Sequence, residues 1–403
     1  MARRKTRKRR YKPRFFVICG TLIALLVAIP LFIFSGSKWT LEYEVDKELP
    51  RGAEKQIEAF TQDAYRYMGS WESGDLTKWF ADRTSEEALV CQSAYDLLVE
   101  MRSLRDNDLR FKSKGIKITI TGIEETENGY DITLEEAYKC KFAFMDEVSE
   151  TQGVACTMGM VEDDGDYKLT YYTREEDFYS YIAEGYQYGA TDPEKALADI
   201  KNEVLKDFKE ELDTLSEMKE NAKAKNVTCD VEYDRDSAKE YALTYALERN
   251  DDEWFVFDDL GGNCQNFGSQ VVHAGGVPMD RKGDAIWKYY GIESDQSKDK
   301  YGRSTSWAGV TYFYEYASEN TGFGLCAEVD ANLYTAEAGD IMQVGDGTGD
   351  YVHTIVSIGP VLDKDGNIID IKTVSNTTDR KNYPLSAYNC PYMRLIKIYG
   401  YNN

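Results

Sequence analysis

One cysteine in this chain is well placed for covalent chemistry. In DDLGGNCQNFGSQVVHAGG, residues 258–276, a Gly261-Gly262 turn leads into Cys264, and apolar residues then follow at helical spacing. The free N–H groups and the positive dipole end of a helix N-terminus favour the thiolate, which is the nucleophilic form of cysteine. The same N–H groups can stabilise the oxyanion of a tetrahedral intermediate. The pattern therefore predicts a nucleophilic Cys264 with a lowered pKa.

A nucleophilic thiol needs a base, and the chain contains two histidines. His273 follows Cys264 by nine residues on the same predicted helix, more than two turns away at about 1.5 Å per residue. His353 lies on an alternating strand, on the face opposite to Thr354. Asn376 ends the next predicted strand, and its amide oxygen would accept a hydrogen bond from the imidazole and fix its tautomer. We therefore expect Cys264 to act as nucleophile, His353 as base and Asn376 as the orienting residue.

Two further residues have two interpretations each. Asp379 is the alternative to Asn376 as the orienting group. Trp307 is a candidate for substrate binding through stacking on a peptide or sugar, and its alternative is a core aromatic behind the site. The spacing of His and Cys does not fit a zinc site, and the sequence has no phosphate-binding glycine loop ahead of a helix. We therefore expect neither a metal nor a cofactor.

The N-terminus has the pattern of a membrane anchor. Residues 1–14 contain nine Lys or Arg and no acid, and residues 15–34 form an uncharged run of 20. That length matches a transmembrane helix, and the basic flank keeps the N-terminus cytoplasmic. The alternative is a cleaved signal peptide, whose apolar region would be shorter, at about 7–15 residues. We expect a single-pass protein of the cell membrane with its C-terminal domains extracytoplasmic.

The remaining chain is strongly acidic, which bears on its partners. Beyond the basic tail it carries a net charge of −32, against −23 for the whole protein. A charge of that size repels nucleic acid and anionic headgroups, so we expect neither as a partner of the acidic part of the chain.

Between the anchor and the cysteine segment the pattern predicts two units. Residues 35–52 are typical of a juxtamembrane stalk with a short strand. Residues 53–185 predict a helix pair followed by an antiparallel sheet, an order that resembles the cone-shaped nuclear-transport-factor-like folds, with an unassigned α+β module as the alternative. Residues 190–228 predict one long linker helix that begins at Asp192-Pro193. The overall fold class is α+β.

Seven cysteines follow the predicted anchor, so at least one thiol is unpaired. If Cys264 is that thiol, Cys140 and Cys156 are the best candidates for a disulfide, because they flank a polar turn between two strand-like runs. The alternative is that all of these thiols are reduced and buried.

The C-terminal segment resembles a known family. Several separated motifs occur in the order found in the putative amidase domain of the papain-like superfamily, which occurs on bacterial surface proteins: Tyr233-Asp234-Arg235, Ala238, Tyr241-Ala242, Asn263-Cys264-Gln265-Asn266-Phe267-Gly268-Ser269-Gln270, Ala274-Gly275-Gly276-Val277-Pro278-Met279, Ser306-Trp307, Ala338-Gly339-Asp340-Ile341, His353-Thr354-Ile355-Val356 and Thr378-Asp379. The resemblance spans residues 231–401.

The resemblance implies a papain-like α+β amidase domain with Cys264 as nucleophile and His353 as base. The chain departs from the family pattern at two positions. Asp commonly precedes the nucleophile, where Asn263 stands, and His is common at the position of Asn376. The function expected is a membrane-anchored cysteine amidohydrolase that acts on cell-wall peptide or another amide. The alternatives are a non-catalytic surface binding module and an acyltransferase that uses the same thioester chemistry.

Overall fold

The fold comes from a computed structural model, which describes residues 39–72, 74–281, 286–291, 302–346, 349–390 and 392–403. The basic tail at 1–14 and the predicted membrane span at 15–34 lie outside the described residues. Within the described ranges, no helix is both long and apolar enough to cross a bilayer. Residues Ser37–Asn403 form one compact unit.

The first half of this unit has the predicted helix pair and antiparallel sheet. Its elements are β1 Trp39–Tyr43, α1 Arg51–Ser70, α2 Glu86–Ser103, β2 Phe111–Thr126, β3 Gly129–Phe142, β4 Ser149–Asp163, β5 Asp166–Arg174 and α3 Asp177–Gly185. Helix α1 buries Ile57, Phe60 and Ala64, whose spacing of three and four residues puts them on one face. Ser85 caps α2 by accepting a hydrogen bond from the Ala88 N–H. The assignment to the nuclear-transport-factor-like folds stays a prediction.

The predicted linker is the helix α4, Pro193–Glu220. Asp192 caps it through a 3.1 Å hydrogen bond from the Lys195 N–H, and Pro193 occupies the first turn, where its missing N–H costs nothing. The helix buries Leu205 and Phe208 and packs along α2 and α3. It is therefore part of the compact unit and not an exposed connection.

The second half contributes four helices and seven strands among the described residues. These are β6 Val231–Glu232, α5 Arg235–Tyr245, α6 Cys264–Ala274, α7 Thr305–Ala308, α8 Val310–Glu319, β7 Gly324–Ala331, β8 Ile341–Gly345, β9 Tyr351–Leu362, β10 Ile368–Ser375, β11 Asp379–Pro384 and β12 Met393–Asn402.

One mixed sheet runs through both halves. Its order is β1-β2-β3-β4-β11-β10-β9-β8-β12-β6, with β5 paired to β4 and β7 paired to β12. The two halves join where Asp379, Arg380 and Lys381 of β11 pair with residues 150–152 of β4. The segments 53–185 and 231–401, predicted as separate domains, thus share one sheet.

The faces of the shared sheet belong to two different cores. Ile355 of β9 packs in a large core with α1, α2 and α4, together with Met342 and Tyr383. Val356, the next residue, packs in the second core with α6. Because strand side chains alternate between faces, adjacent residues of β9 serve different halves of the molecule.

The cysteines pair differently from the prediction. The structure contains a disulfide between Cys229 and Cys326, while Cys140 and Cys156 are free and buried. In the β3–β4 hairpin Cys140 lies opposite Ser149, so Cys156 lies roughly 20 Å farther along the strands at about 3.3 Å per residue. A disulfide requires Cα atoms within about 7 Å. The Cys140–Cys156 prediction was wrong because the strands continue past the turn in regular register.

Candidate active site

Cys264 is the first residue of α6, as the Gly261-Gly262 turn predicts, and it is 8% exposed. Burial raises the pKa of its thiol, and hydrogen bonds from the backbone N–H groups of Thr354, Gln265 and Cys264 itself oppose this shift without cancelling it. The predicted lowering of the pKa is therefore reversed in this conformation. The backbone N–H groups of Gln265 and Cys264 at the helix N-terminus nevertheless favour the thiolate, as expected.

Strand β9 lies directly against α6 at this point. The Thr354 hydroxyl donates a 2.8 Å hydrogen bond to Gln265 Oε1, and both side chains are fully buried. Gly268, one turn farther along α6, makes the close approach possible, because a Cβ there would lie 3.1 Å from the Thr354 methyl group. The helix and strand that carry the two predicted catalytic residues are thus in contact.

His353 lies on the other face of β9, as its alternation with Thr354 predicts. It pairs in register with Val344, whose side chain packs in the large shared core. Its Nε2 atom is buried and has no hydrogen-bond partner. Burial, reinforced by the positive charge of Arg380, lowers the pKa of His353 to about 3. In the described part of the chain no hydrogen bond joins His353 to Cys264, and the imidazole is neutral at physiological pH.

Asn376 hydrogen-bonds to α5 and Asn263, and not to His353 as predicted. Its Nδ2 donates to the carbonyls of Tyr245 and Ala246 at the end of α5, at 3.1 and 3.0 Å. Its Oδ1 accepts a 3.0 Å hydrogen bond from Asn263 Nδ2. The two positions at which the chain departs from the family pattern are therefore in direct contact. Asn376 joins the end of α5 to Asn263, the residue before Cys264, and among the described residues no hydrogen bond joins it to His353.

Asn263 completes this amide network without capping α6 through its side chain. Its Oδ1 accepts from the Phe257 N–H at 3.2 Å and from Asn266 Nδ2 at 2.8 Å. Its own N–H donates to Thr377 Oγ1 at 2.7 Å. Five hydrogen bonds thus hold the residue before Cys264, counting the bond to Asn376 and the helical bond from the Phe267 N–H to the Asn263 carbonyl.

Trp307 lies in the core behind α6, which is the alternative interpretation of this residue. Its ring is fully buried and stacks on Trp254 and Trp287, with centroids 5.2 and 4.8 Å away. Its Nε1 donates a 2.7 Å hydrogen bond to Asn266 Oδ1. Trp307 therefore supports the amide network beneath the cysteine.

An ion cluster beside the site was missed by sequence reasoning. Arg249 donates to Asp258 at 2.8 Å and to Asp379 at 2.9 Å, and the Thr377 N–H donates to Asp379 at 3.0 Å. The negative charge of Asp258 contributes to the raised pKa of Cys264. A lone arginine among acidic residues has no spacing signal, so the sequence offered no way to find it. Among the described residues, no group of three or more His, Cys, Asp or Glu side chains is arranged to hold a metal ion.

Alkylation should separate Cys264 from the other free thiols of the described chain. Cys264 is 8% exposed, whereas Cys91, Cys140, Cys156 and Cys390 are at most 2% exposed, so iodoacetamide should modify Cys264 first. Because burial raises the pKa of Cys264 above the ordinary value of a thiol, its thiolate fraction and labelling rate should keep increasing with pH in the alkaline range. Peptide mass spectrometry across a pH series measures this. A rate that reaches a plateau below pH 8 would show a lowered pKa and contradict the structure.

Replacing Asn376 tests its role in holding the site together. Asn376→Ala leaves the carbonyls of Tyr245 and Ala246 and the Asn263 amide without their partner, so we expect a loss of about 1–3 kcal/mol in the free energy of unfolding. Urea denaturation measures this loss. The control is Asn202→Ala on the exposed face of α4, expected to change stability by less than about 0.5 kcal/mol. Equal effects of the two substitutions would contradict the network.

The comparisons with known proteins agree with the motif order. No curated protein and no solved structure matches the chain. A family model does match, and the match covers less than half of the chain. The C-terminal part, residues 232–399, which contains Cys264 and His353, matches the family described as the putative amidase domain.

Proposed function

We propose that this protein is a membrane-anchored, extracytoplasmic cysteine amidohydrolase that cleaves amide bonds of cell-wall peptide. The observation that carries the proposal is the position of Cys264 within the matched domain. Its sulfur lies at the start of α6, where the backbone N–H groups of Thr354, Gln265 and Cys264 lower the pKa of the thiol against the larger effect of burial. Such an arrangement supplies a thiolate and an oxyanion with donors already in place.

In the proposed reaction the Cys264 sulfur attacks the amide carbonyl while its proton passes to His353. The tetrahedral intermediate places its oxyanion on the N–H groups at the start of α6. The C–N bond then breaks, the amine leaves with the proton held by His353, and water hydrolyses the thioester to restore the thiol. Thr354 of β9 contacts Gln265, the residue after Cys264, so His353 is one residue away from that contact along β9. Because strand side chains alternate between faces, the transfer requires a local change of the β9 backbone that brings the imidazole to the α6 side.

The proposed topology places the N-terminus in the cytoplasm and residues after the span outside it. The basic tail at 1–14 and the apolar run at 15–34 support this orientation. Protease added to intact cells should therefore digest the region after residue 38. Full protection of that region in sealed cells, with digestion after lysis, would refute the topology.

A binding module without catalysis is the second candidate, and the position of His353 favours it. The imidazole has a pKa of about 3 and lies on the far side of β9, and Asn376 is occupied by Asn263. A surface protein that only holds wall peptides would need no change in this arrangement.

One experiment separates the two candidates. Purified full-length protein in detergent, under reducing conditions, is incubated with peptidoglycan, and the products are analysed by mass spectrometry for new amine and carboxyl ends. The hydrolase proposal expects such ends, and the cleaved bond identifies the substrate. Retention of peptidoglycan on the protein with no new ends would refute the hydrolase and support the binding module.

A further inference from the structure

A basic groove lies on the sheet of this acidic protein, far along the chain from Cys264. Its volume is about 700 Å³, and its charged residues are Arg110, Lys112, Lys114 and Lys141, with one acid, Asp108. Phe111 and Phe142 form its apolar floor. A local excess of positive charge in a chain that is −32 beyond its basic tail indicates a site for an anion.

Two lysines of the basic groove face each other on neighbouring strands and repel one another. Lys112 of β2 lies directly opposite Lys141 of β3, and like charges at facing positions destabilise a sheet. In the described part of the chain, Lys112 and Lys114 form no ion pair with an acid, and both are exposed. Lys141 has two acidic neighbours, Asp146 at 3.5 Å and Glu147, whose pKa is lowered by Lys372 and also by Lys141. The groove is thus left with positive charge that the protein itself does not neutralise.

The position of the groove indicates which anion it meets. β1 runs parallel to β2, with Trp39 opposite Ile116. Lys114 precedes Ile116 by two residues and Lys112 precedes it by four. At a rise of about 3.3 Å per residue, these lysines lie about 7 and 13 Å beyond Trp39 along the strand direction. They lie on the side from which the chain enters β1. The predicted span ends five residues before Trp39, a distance of at most about 18 Å. The groove therefore lies at the end of the sheet where β1 begins.

We propose that the basic groove binds the phosphate headgroups of anionic lipids in the membrane that holds the anchor. This inference rests on the membrane anchoring in the proposed function and extends it. The rest of the protein is acidic and is repelled by such a surface, so only this end of the sheet approaches it. The attraction acts over about 10 Å at 0.1 M salt, which the short connection to the span permits. The groove would thereby fix which end of the compact unit faces the bilayer.

Cross-linking in nanodiscs tests the groove. Full-length protein is incorporated into discs that contain a photoactivatable phosphatidylglycerol or, separately, a photoactivatable phosphatidylcholine. We expect groove peptides, residues 108–116 and 139–146, to be labelled several-fold more by the anionic probe, and this preference to disappear at high salt. Equal labelling by the two probes would overturn the proposal.

Two variants provide the matched comparison. The groove variant is Lys112→Glu/Lys114→Glu/Lys141→Glu, and we expect it to lose most of the labelling by phosphatidylglycerol. The control variant is Lys206→Glu/Lys209→Glu/Lys223→Glu, which makes the same charge change on exposed residues of α4 and the segment after it. We expect the control variant to retain the labelling. Unchanged labelling in the groove variant would overturn the proposal. So would competition by inorganic phosphate that removes the labelling at constant ionic strength, because the groove would then be a site for free phosphate.

The readouts separate this inference from the proposed function. Incorporation into discs is measured by size-exclusion chromatography. If the protein enters the discs but its groove is not labelled, only the proposed lipid site is refuted. A chain that fails to enter discs overturns the anchor and, with it, this inference. Hydrolysis of wall peptide plays no part in either measurement.

Discussion

Cys264→Ala should abolish amide hydrolysis by the purified protein, with a loss on the order of 10⁴-fold or more in kcat, because the covalent route through the thioester disappears. Folding should be nearly unchanged, since the substitution removes one sulfur atom at a position with 8% exposure. The measurement is the rate of release of new amine ends from peptidoglycan, with circular dichroism to verify the fold.

The control for this prediction is Cys140→Ala, which removes another free, buried thiol from a strand far along the chain. It should leave the rate unchanged. Activity that survives in Cys264→Ala would refute cysteine catalysis even if the wild-type protein cleaves peptidoglycan.

His353→Ala belongs to the same series because it tests whether the imidazole reaches the thiol. If His353 is the base, the single substitution should abolish turnover, and the double variant with Cys264→Ala should be little worse than either single one. If His353 remains on the far side of β9 throughout the reaction, the rate should not fall beyond any loss of folded protein.

Arg174→Ala should destabilise the protein by about 3–5 kcal/mol, the largest stability change that we expect from one substitution. The Arg174 and Glu136 side chains form an ion pair with at most 1% exposure, and Tyr65 donates to Glu136 at 2.8 Å. Arg174 also pairs with Glu176 at 2.5 Å. Burial opposes the ionised form of Glu176, yet the positive charges of Arg174 and Arg380 lower its pKa. Removal of the arginine leaves buried negative charge without compensation, which is why the cost is large.

The exposed pair between Lys47 and Glu125 is the control for this prediction. Its side chains are 42% and 68% exposed, so solvent screens the attraction, and Lys47→Ala should cost less than about 1 kcal/mol. Guanidinium denaturation of both variants gives the comparison. Equal midpoints would show that the Arg174 cluster contributes no more than a surface pair.

Local pattern predicted most of the elements but not how they join. The helices α1, α2, α4 and α6 were evident from apolar spacing, and the cap Asp192 is a short-range signal. The pairing of β11 with β4 was not predictable, because Arg380 and Thr151 are separated by more than two hundred residues and neither segment contains a signal for the other. Pairing partners at such separation depend on the packing of the whole chain.

For the candidate site, too, local spacing predicted some features, while others depend on the complete fold. The start of α6 at Cys264 and the alternation of His353 with Thr354 follow from local spacing, and the structure has both. The direction of the Cys264 pKa shift did not follow, since the burial that raises it requires the completed fold around the sulfur. Nor did the contact of Asn376 with Asn263, which depends on where the end of β10 meets the turn before α6.

The junction of β4 and β11 also determines whether the part of the chain that matches the amidase family model can exist alone. A protein cut before residue 231 would lack the partner of Asp379, Arg380 and Lys381, so β11 would become an unprotected edge that invites pairing with other chains. The same cut would expose Tyr383 and Leu395, which are buried in the core shared with the first half. We expect such a fragment to aggregate. The two halves should therefore be stable only when they are made as one chain.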